Sequence, residues 1–303
     1  MLLLIPLAAG AELVAEWVTE ARVPREADWR AAQQYLRQTR RDGDLVASAP
    51  LWTDPLARRY FGDLISLADA ARPDATRYRR ALVATIRGRE HPDFQGWRET
   101  AQQRFGPITV RTLENPAPAQ VRYDLIAHLH PPDARGFRVL GNDSLECQWR
   151  TGINVMGGGL GQGALAPPNR FTCSNEGWNY LGVTVIEDME HRGRQCIWSH
   201  PVQGGVMATE WPEAQVAARL HGHHGLAYEA ERGDDEGHIG ADVELRALVD
   251  GEEVGRSLHH DGEGWKVFDF DTLRFANGTH RLRIEIRTEN AGMRHYCFEG
   301  DLR

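Results

Sequence analysis

A chain of 303 residues, 41% hydrophobic and 26% charged, can bury the cores of two domains, which excludes disorder as its ground state. The formal net charge of −8 is unevenly placed: residues 1–130 hold 18 Arg and 16 acids, leaving 17 basic and 27 acidic residues for the remainder. An acidic second half without clustered Lys or Arg excludes nucleic acid as a partner.

The chain begins with an apolar run, Met1 to Ala11, shorter than the roughly 20 residues that span a bilayer. It reads as a signal-like core with a small-x-small site at Ala9-Gly10-Ala11, or as the end of a membrane helix. Either reading sets the rest outside the cytoplasm, periplasmic or on the outer membrane face, and keeps the N-terminus close to a membrane.

Asp28 is placed to cap a helix running to Arg40, with Trp29, Ala32, Tyr35 and Leu36 on one face and Gly43 past its end. Asp44 to Ala49 follows as a buried strand. Thr53-Asp54-Pro55 opens a second helix that stops near Gly62. Alternation in Leu82, Ala84 and Ile86 and in Ile108 and Val110 gives two strands, with a helix expected between them over Gln95 to Arg104. Strand, helix, strand implies a small parallel α/β (Rossmann-like) domain over 23–130. Val121, Leu125 and Leu129 form its last helical stripe, and His130 to Gly136 is the linker.

Beyond the linker, Val243, Leu245, Ala247 and Val249 alternate, as do Leu282, Ile284 and Ile286 against Arg281, Arg283, Glu285 and Arg287. This period of two, broken by the turns Asp250-Gly251 and Asp261-Gly262, describes an antiparallel β-sandwich of jelly-roll type over 137–303. The expected class is therefore α+β and multidomain, with residues 1–22 a separate N-terminal segment.

Cys147, Cys173, Cys196 and Cys297 all fall in the second half, too far apart for zinc pairs, and read as two disulfides of an oxidising compartment. Of the three connectivities, Cys147 with Cys297 and Cys173 with Cys196 is the one expected if first and last strands lie side by side.

Trp149, Trp178, Tyr180 and Trp198 lie between the first and third cysteines or just past them, in a stretch rich in Gly, Asn and Ser. Exposed aromatic faces with polar groups at the rim suit the stacking of sugar rings, whereas the same residues packed between sheets would be core. His221 and His223, beside His224 and followed by His259 and His260, are candidates for a transition-metal site. Asp234-Asp235-Glu236 could hold a structural calcium; no other cofactor is expected. Gly159 to Ala164 has the form G-x-G-x-x-A, but Pro167-Pro168 follow, so it reads as a loop. In Asp269-Phe270-Asp271 the acids alternate with Phe268 and Phe270 as solvent against core. No G-x-S-x-G or H-E-x-x-H nucleophile or zinc motif occurs.

At Asp28-Trp29-Arg30-Ala31-Ala32-Gln33-Gln34-Tyr35-Leu36 with Gly43-Asp44-Leu45-Val46, the chain resembles the soluble segment after the last membrane helix of bacterial dolichyl-phosphate-mannose mannosyltransferase-like glycosyltransferases. This likeness covers residues 1–128 and implies an extracytoplasmic setting near lipid-linked sugar. It does not imply transferase activity, because that family's catalytic carboxylates lie between membrane helices. Val243 to Arg303 looks like the end of a galactose-binding-like jelly roll of carbohydrate-binding modules. The expected function is a non-catalytic accessory or carbohydrate-binding module near cell-envelope glycan or lipid-linked sugar transfer. The alternatives are a hydrolase with carboxylates in an inter-domain cleft, and a structural or protein-interaction protein.

Overall fold

The computed structural model describes residues 12, 15–17, 22–155, 157, 164–231 and 240–303. The chain divides into two compact units, one of residues 1–70 and 74–119, the other of 71–73 and 120–303. No helix among the described residues is long and apolar enough to cross a membrane. The N-terminal apolar run, the glycine-rich stretch Gly159 to Gly163 and the acidic candidate Asp234-Asp235-Glu236 lie outside the described residues.

In the first unit, helix α1 (Glu26–Thr39) starts two residues before Asp28, whose carboxylate accepts the Arg25 backbone N–H at 2.8 Å. Its face of Trp29, Ala32 and Leu36 is buried as the sequence pattern requires. Strand β1 (Leu45–Ala49) is buried throughout, and helix α2 (Asp54–Phe61) ends at Gly62. Strands β2 (Arg80–Ile86), β3 (Arg98–Phe105) and β4 (Ile108–Glu114) complete a sheet of order β1-β2-β4-β3.

This corrects the Rossmann-like expectation. Only β1 and β2 run parallel; β4 is antiparallel to both its neighbours. The expected helix over Gln95 to Arg104 is instead mostly β3, an almost wholly exposed edge strand. Its Gln, Ala, Glu and Arg residues favour a helix, but the Gly106-Pro107 turn folds it onto β4. There Arg98 pairs with Glu114 and Arg111 with Glu99, each at 2.5 Å. Tertiary pairing has overridden local propensity.

The regular structure of the second unit is nearly all strand. The stripe Val121, Leu125, Leu129 is not a helix: β5 (Tyr123–Asp124) pairs with the last strand of the chain. Then come β6 (Arg135–Leu140), β7 (Asp143–Arg150), β8 (Arg170–Thr172), β9 (Tyr180–Glu187), β10 (Gly193–Ser199), β11 (Gly205–Val216) and β12 (Arg219–Leu226). A short helix, Tyr228–Glu231, follows β12. The chain closes with β13 (Val243–Val249), β14 (Glu252–His259), β15 (Lys266–Asp271), β16 (Gly278–Thr288) and β17 (Tyr296–Leu302).

These form one 13-stranded antiparallel sheet of order β14-β13-β16-β11-β6-β7-β8-β9-β10-β17-β12-β15 with β5 on β17. Strand β7 serves both layers, pairing with β6 through Cys147 and with β8 from Gln148 onward. The sheet so folded is a β-sandwich that nearly closes on itself. Its end strands approach where Phe270 covers Gly255; a Cβ there would lie 2.2 Å from the ring, so only glycine fits. The alternating residues of β13 and β16 are buried as expected and join Met207, Trp211, Phe171 and Phe298 in the shared core.

Two disulfides are present, in keeping with an oxidising, extracytoplasmic compartment. Their pairing corrects the expected one: Cys147 bonds Cys173 and Cys196 bonds Cys297. The reason is strand order. β7 neighbours β8 and β10 neighbours β17, so the first and last cysteines are not on adjacent strands.

Candidate functional site

On β9 and β10, side chains two apart share a face, which sets Tyr180 and Trp198 on the side of this layer away from the core residues Leu181 and Ile197. The two rings stack at 5.6 Å, 11° from parallel. Gly182, opposite Trp198, lets Pro167 and Arg170 pack close beside the stack: a Cβ there would be 2.9 Å from Pro167 and 3.0 Å from Arg170. The Arg170 guanidinium lies 5.3 Å from the Tyr180 ring centre and donates to the Pro167 carbonyl. Burial pushes the Tyr180 phenol up from its ordinary pKa, against the charge of Arg170. The Cys196–Cys297 bridge ties β10 to β17 beside this pair, since Trp198 and Cys297 are register partners.

The stack carries a second tier. Trp198 Nε1 donates to the Trp178 main-chain carbonyl at 2.9 Å, and Trp178 itself is 41% exposed. The buried His200 ring lies 4.6 Å from Trp178 and 5.8 Å from His295, which in turn is 5.6 Å from Trp198. Burial pushes the His200 imidazole down to about 4, opposed by its hydrogen bond to Pro201 O and reinforced by His295 and Arg294. It is therefore neutral near pH 7. A carbonyl can only accept, so Nδ1 carries the proton at 2.8 Å from Pro201 O and Nε2 is left as an acceptor. His295 Nδ1 faces Glu229 Oε1 at 3.3 Å, and this contact holds the Glu229 carboxyl below its usual range.

Of the four aromatic candidates, Trp178, Tyr180 and Trp198 thus come together. Trp149 goes elsewhere, packing on Phe171 at 4.8 Å against the main core. The sequence reading missed His200, His295, Glu229 and Arg170. His200 was findable, since it lies two residues past Trp198 and so shares its face. The others arrive from distant strands and turns.

The histidines separate. His221 and His223 share one face of β12 with rings 5.5 Å apart; His221 meets Asp269 at 3.3 Å and His223 meets Glu299 at 2.8 Å. His224 points to the core, between Tyr296 Oη (2.7 Å) and Ser257 Oγ (2.8 Å). His259 is buried against Glu231 at 2.6 Å, and the exposed His260 pairs with Asp242 at 2.8 Å. Asp269 also pairs with Arg219 at 2.5 Å, while Asp271 accepts the Leu273 backbone N–H at 2.9 Å.

No protein-family profile and no curated protein matches this chain, so the glycosyltransferase resemblance of residues 1–128 finds no support there. Among solved structures, the CBM51-2 and INT domains of Clostridium perfringens ZmpB align at 10% identity and TM-score 0.30, covering 60% of this chain and 40% of that one. The tandem CBM51 modules of Sp3GH98, a family 98 glycoside hydrolase of Streptococcus pneumoniae SP3-BS71, align at 10% identity and TM-score 0.31, covering 66% and 57%. The secreted serine protease VesC of Vibrio cholerae aligns at 10% identity and TM-score 0.22, covering 84% and 67%. The chain spans less than two thirds of the first two, and overlap of this order assigns neither family nor ligand.

Proposed function

We propose that the second unit is a non-catalytic carbohydrate-binding module whose stacking residue is Trp178. The observation that carries this reading is the two-tier arrangement. A half-exposed indole is held at its backbone by a buried Trp198–Tyr180 stack, with the His200 ring beside it and His295, paired with Glu229, against Trp198. A sugar presents an apolar C–H face and a rim of hydroxyls, and this surface offers an aromatic plane with acceptors and donors near it. Loops placed by a rigid scaffold are where such sites reside.

The carboxylates support binding over hydrolysis. General-acid catalysis near neutrality needs a carboxyl whose pKa is raised. Glu229, Asp250, Glu263 and Glu285 all shift down instead. His295 lowers Glu229, and His280 lowers Asp250. Burial pushes Glu263 and Glu285 up, but the His260 backbone N–H with Lys266, and Arg283 with Arg287, outweigh it.

The ligand class proposed is cell-envelope glycan, including sugar carried on a lipid. A glycan array followed by isothermal titration of the purified, oxidised chain tests it. Binding by the wild type and its loss in Trp178→Ala is the expected outcome. An absence of binding across cell-envelope oligosaccharides would overturn the proposal.

A further inference from the structure

At one end of the four-stranded sheet, Arg22, Arg87, Arg89 and Arg104 line a single hollow of about 790 Å³ with Gly88, Pro107 and Thr109. We propose that this hollow is a binding site for a phosphate group, independent of the aromatic site of the other unit.

The turn after β2 supplies two of the four. Arg89 N donates to Ile86 O at 3.2 Å, and the two residues between, Arg87 and Gly88, both have left-handed backbones, φ 57° and 64°. Both central residues at positive φ make a tight hairpin-like turn whose usual occupants are Asn, Asp and Gly. A long cationic side chain occupies the first of them, where the backbone gains nothing from it. Arg104 comes from the β3–β4 hairpin. Its Nε is engaged with Gly106 O at 2.8 Å, which orients the guanidinium and leaves its terminal amines. Arg22 arrives from the segment before α1.

Among the described residues no acid lines the hollow, and none of these four arginines has a carboxylate partner. The contrast within the same sheet is sharp. Arg80 pairs with Asp44, Arg98 with Glu114, and Arg111 with both Glu99 and Glu90. In a chain of 43 acids and 35 bases, four unneutralised guanidinium groups around one hollow repel one another without an internal counter-charge. A bound anion would reverse that sign. Each guanidinium is a planar fork of N–H donors, and the donors of four such side chains lining one hollow exceed what a two-oxygen carboxylate accepts. A phosphate, with three or four oxygens and up to two charges, matches them better.

Two sources carry that chemistry: a soluble phosphate or pyrophosphate, and the headgroup of an anionic phospholipid. The second has a motive in the chain. Arg22 follows the apolar run Met1 to Ala11 and Trp17, which is 73% exposed, the residue order found where chains meet membrane surfaces.

The test uses the full oxidised chain, titrated with inorganic phosphate and with pyrophosphate, and sedimented with vesicles of phosphatidylcholine alone or mixed with phosphatidylglycerol. The Arg87→Gly/Arg89→Gln double variant removes two charges and suits the left-handed backbone at residue 87, so it keeps the turn. Arg98→Gln removes a charge from the same sheet outside the hollow. We expect binding to at least one probe, weakened about tenfold or more in the double variant and within about twofold of wild type in Arg98→Gln. Binding should also weaken as salt rises. Response to the soluble anions assigns the first source; response only to the phosphatidylglycerol vesicles assigns the second. No binding to any probe overturns the site, as does an equal loss in Arg98→Gln, which would reduce it to diffuse charge.

Discussion

Trp198 donates its indole N–H to the main-chain carbonyl of Trp178 at 2.9 Å, so a ring 5% exposed fixes the loop that presents a ring 41% exposed. The two tryptophans therefore have separable roles. Trp178→Ala should abolish glycan binding while costing only about 1 kcal/mol of stability, the centre of the range for single substitutions. Trp198→Ala should cost about 3–5 kcal/mol, as for a buried large aromatic. Trp198→Phe keeps a ring on Tyr180 but loses the donor; it should cost about 1 kcal/mol for the hydrogen bond and weaken glycan binding through the looser loop. Denaturant titration beside calorimetric binding reads all three. Equal destabilisation by Trp178→Ala and Trp198→Ala would reduce the pair to ordinary core packing.

Stability should fall in mild acid. Burial holds the imidazoles of His200 and His224 down, to about 4 and about 3, whereas an unfolded histidine takes its proton near 6.5. Between those values the unfolded state binds the extra protons. The contribution of neutral burial is thus complete above pH 6.5 and is lost as pH falls toward 4, by about 1.4 kcal/mol per pH unit for each group. Urea midpoints at pH 7.5 and pH 5 should differ accordingly, and His200→Phe should flatten the slope. A midpoint that holds constant over this window contradicts neutral burial of both rings.

Legibility in the sequence followed the range of the forces involved. β13 and β16 were readable because each alternates Val, Leu, Ile or Ala with polar residues, and a half-buried strand leaves that local trace. β3 was not, because an exposed edge strand such as Arg98–Phe105 has no apolar face to leave one. Without it, the antiparallel half of the first sheet looked like a helix crossover. At the aromatic site, Trp178, Tyr180 and Trp198 stood out by density. Glu229 and His295 could not, since only the placement of β17 beside β10 and β12 brings them there. The cysteine pairing failed for the same reason: it depends on sheet order, which no local pattern carries.

The two disulfides should differ in weight. In the chain-entropy account, closing a longer loop constrains the unfolded state more. Cys196–Cys297 closes 101 residues of separation and Cys147–Cys173 closes 26. Replacing the first pair with Ser should cost about 4.7 kcal/mol and the second about 3.5 kcal/mol. The first loss should also lower glycan affinity, because it releases β10 from β17 beside Trp198. Peptide mapping without reductant must recover these two pairs; recovery of Cys147 with Cys297 would overturn the strand order itself.

The His259–Glu231 pair is sealed inside the sandwich unit, Nε2 to Oε1 at 2.6 Å with both side chains at 0% exposure, and the other Glu231 oxygen accepts the Gly262 N–H at 2.6 Å. Burial of this kind stabilises little in total but makes removal of one partner expensive. Glu231→Leu should cost about 3–5 kcal/mol, because it strands His259 and the Gly262 amide without an acceptor. Adding His259→Phe should recover part of that loss, since an apolar ring needs no partner in the same space. The coupling, read from a double-mutant cycle in urea, should thus be about 1 kcal/mol or more. If the two losses simply add, the hydrogen bond does not hold the short helix Tyr228–Glu231 against β14.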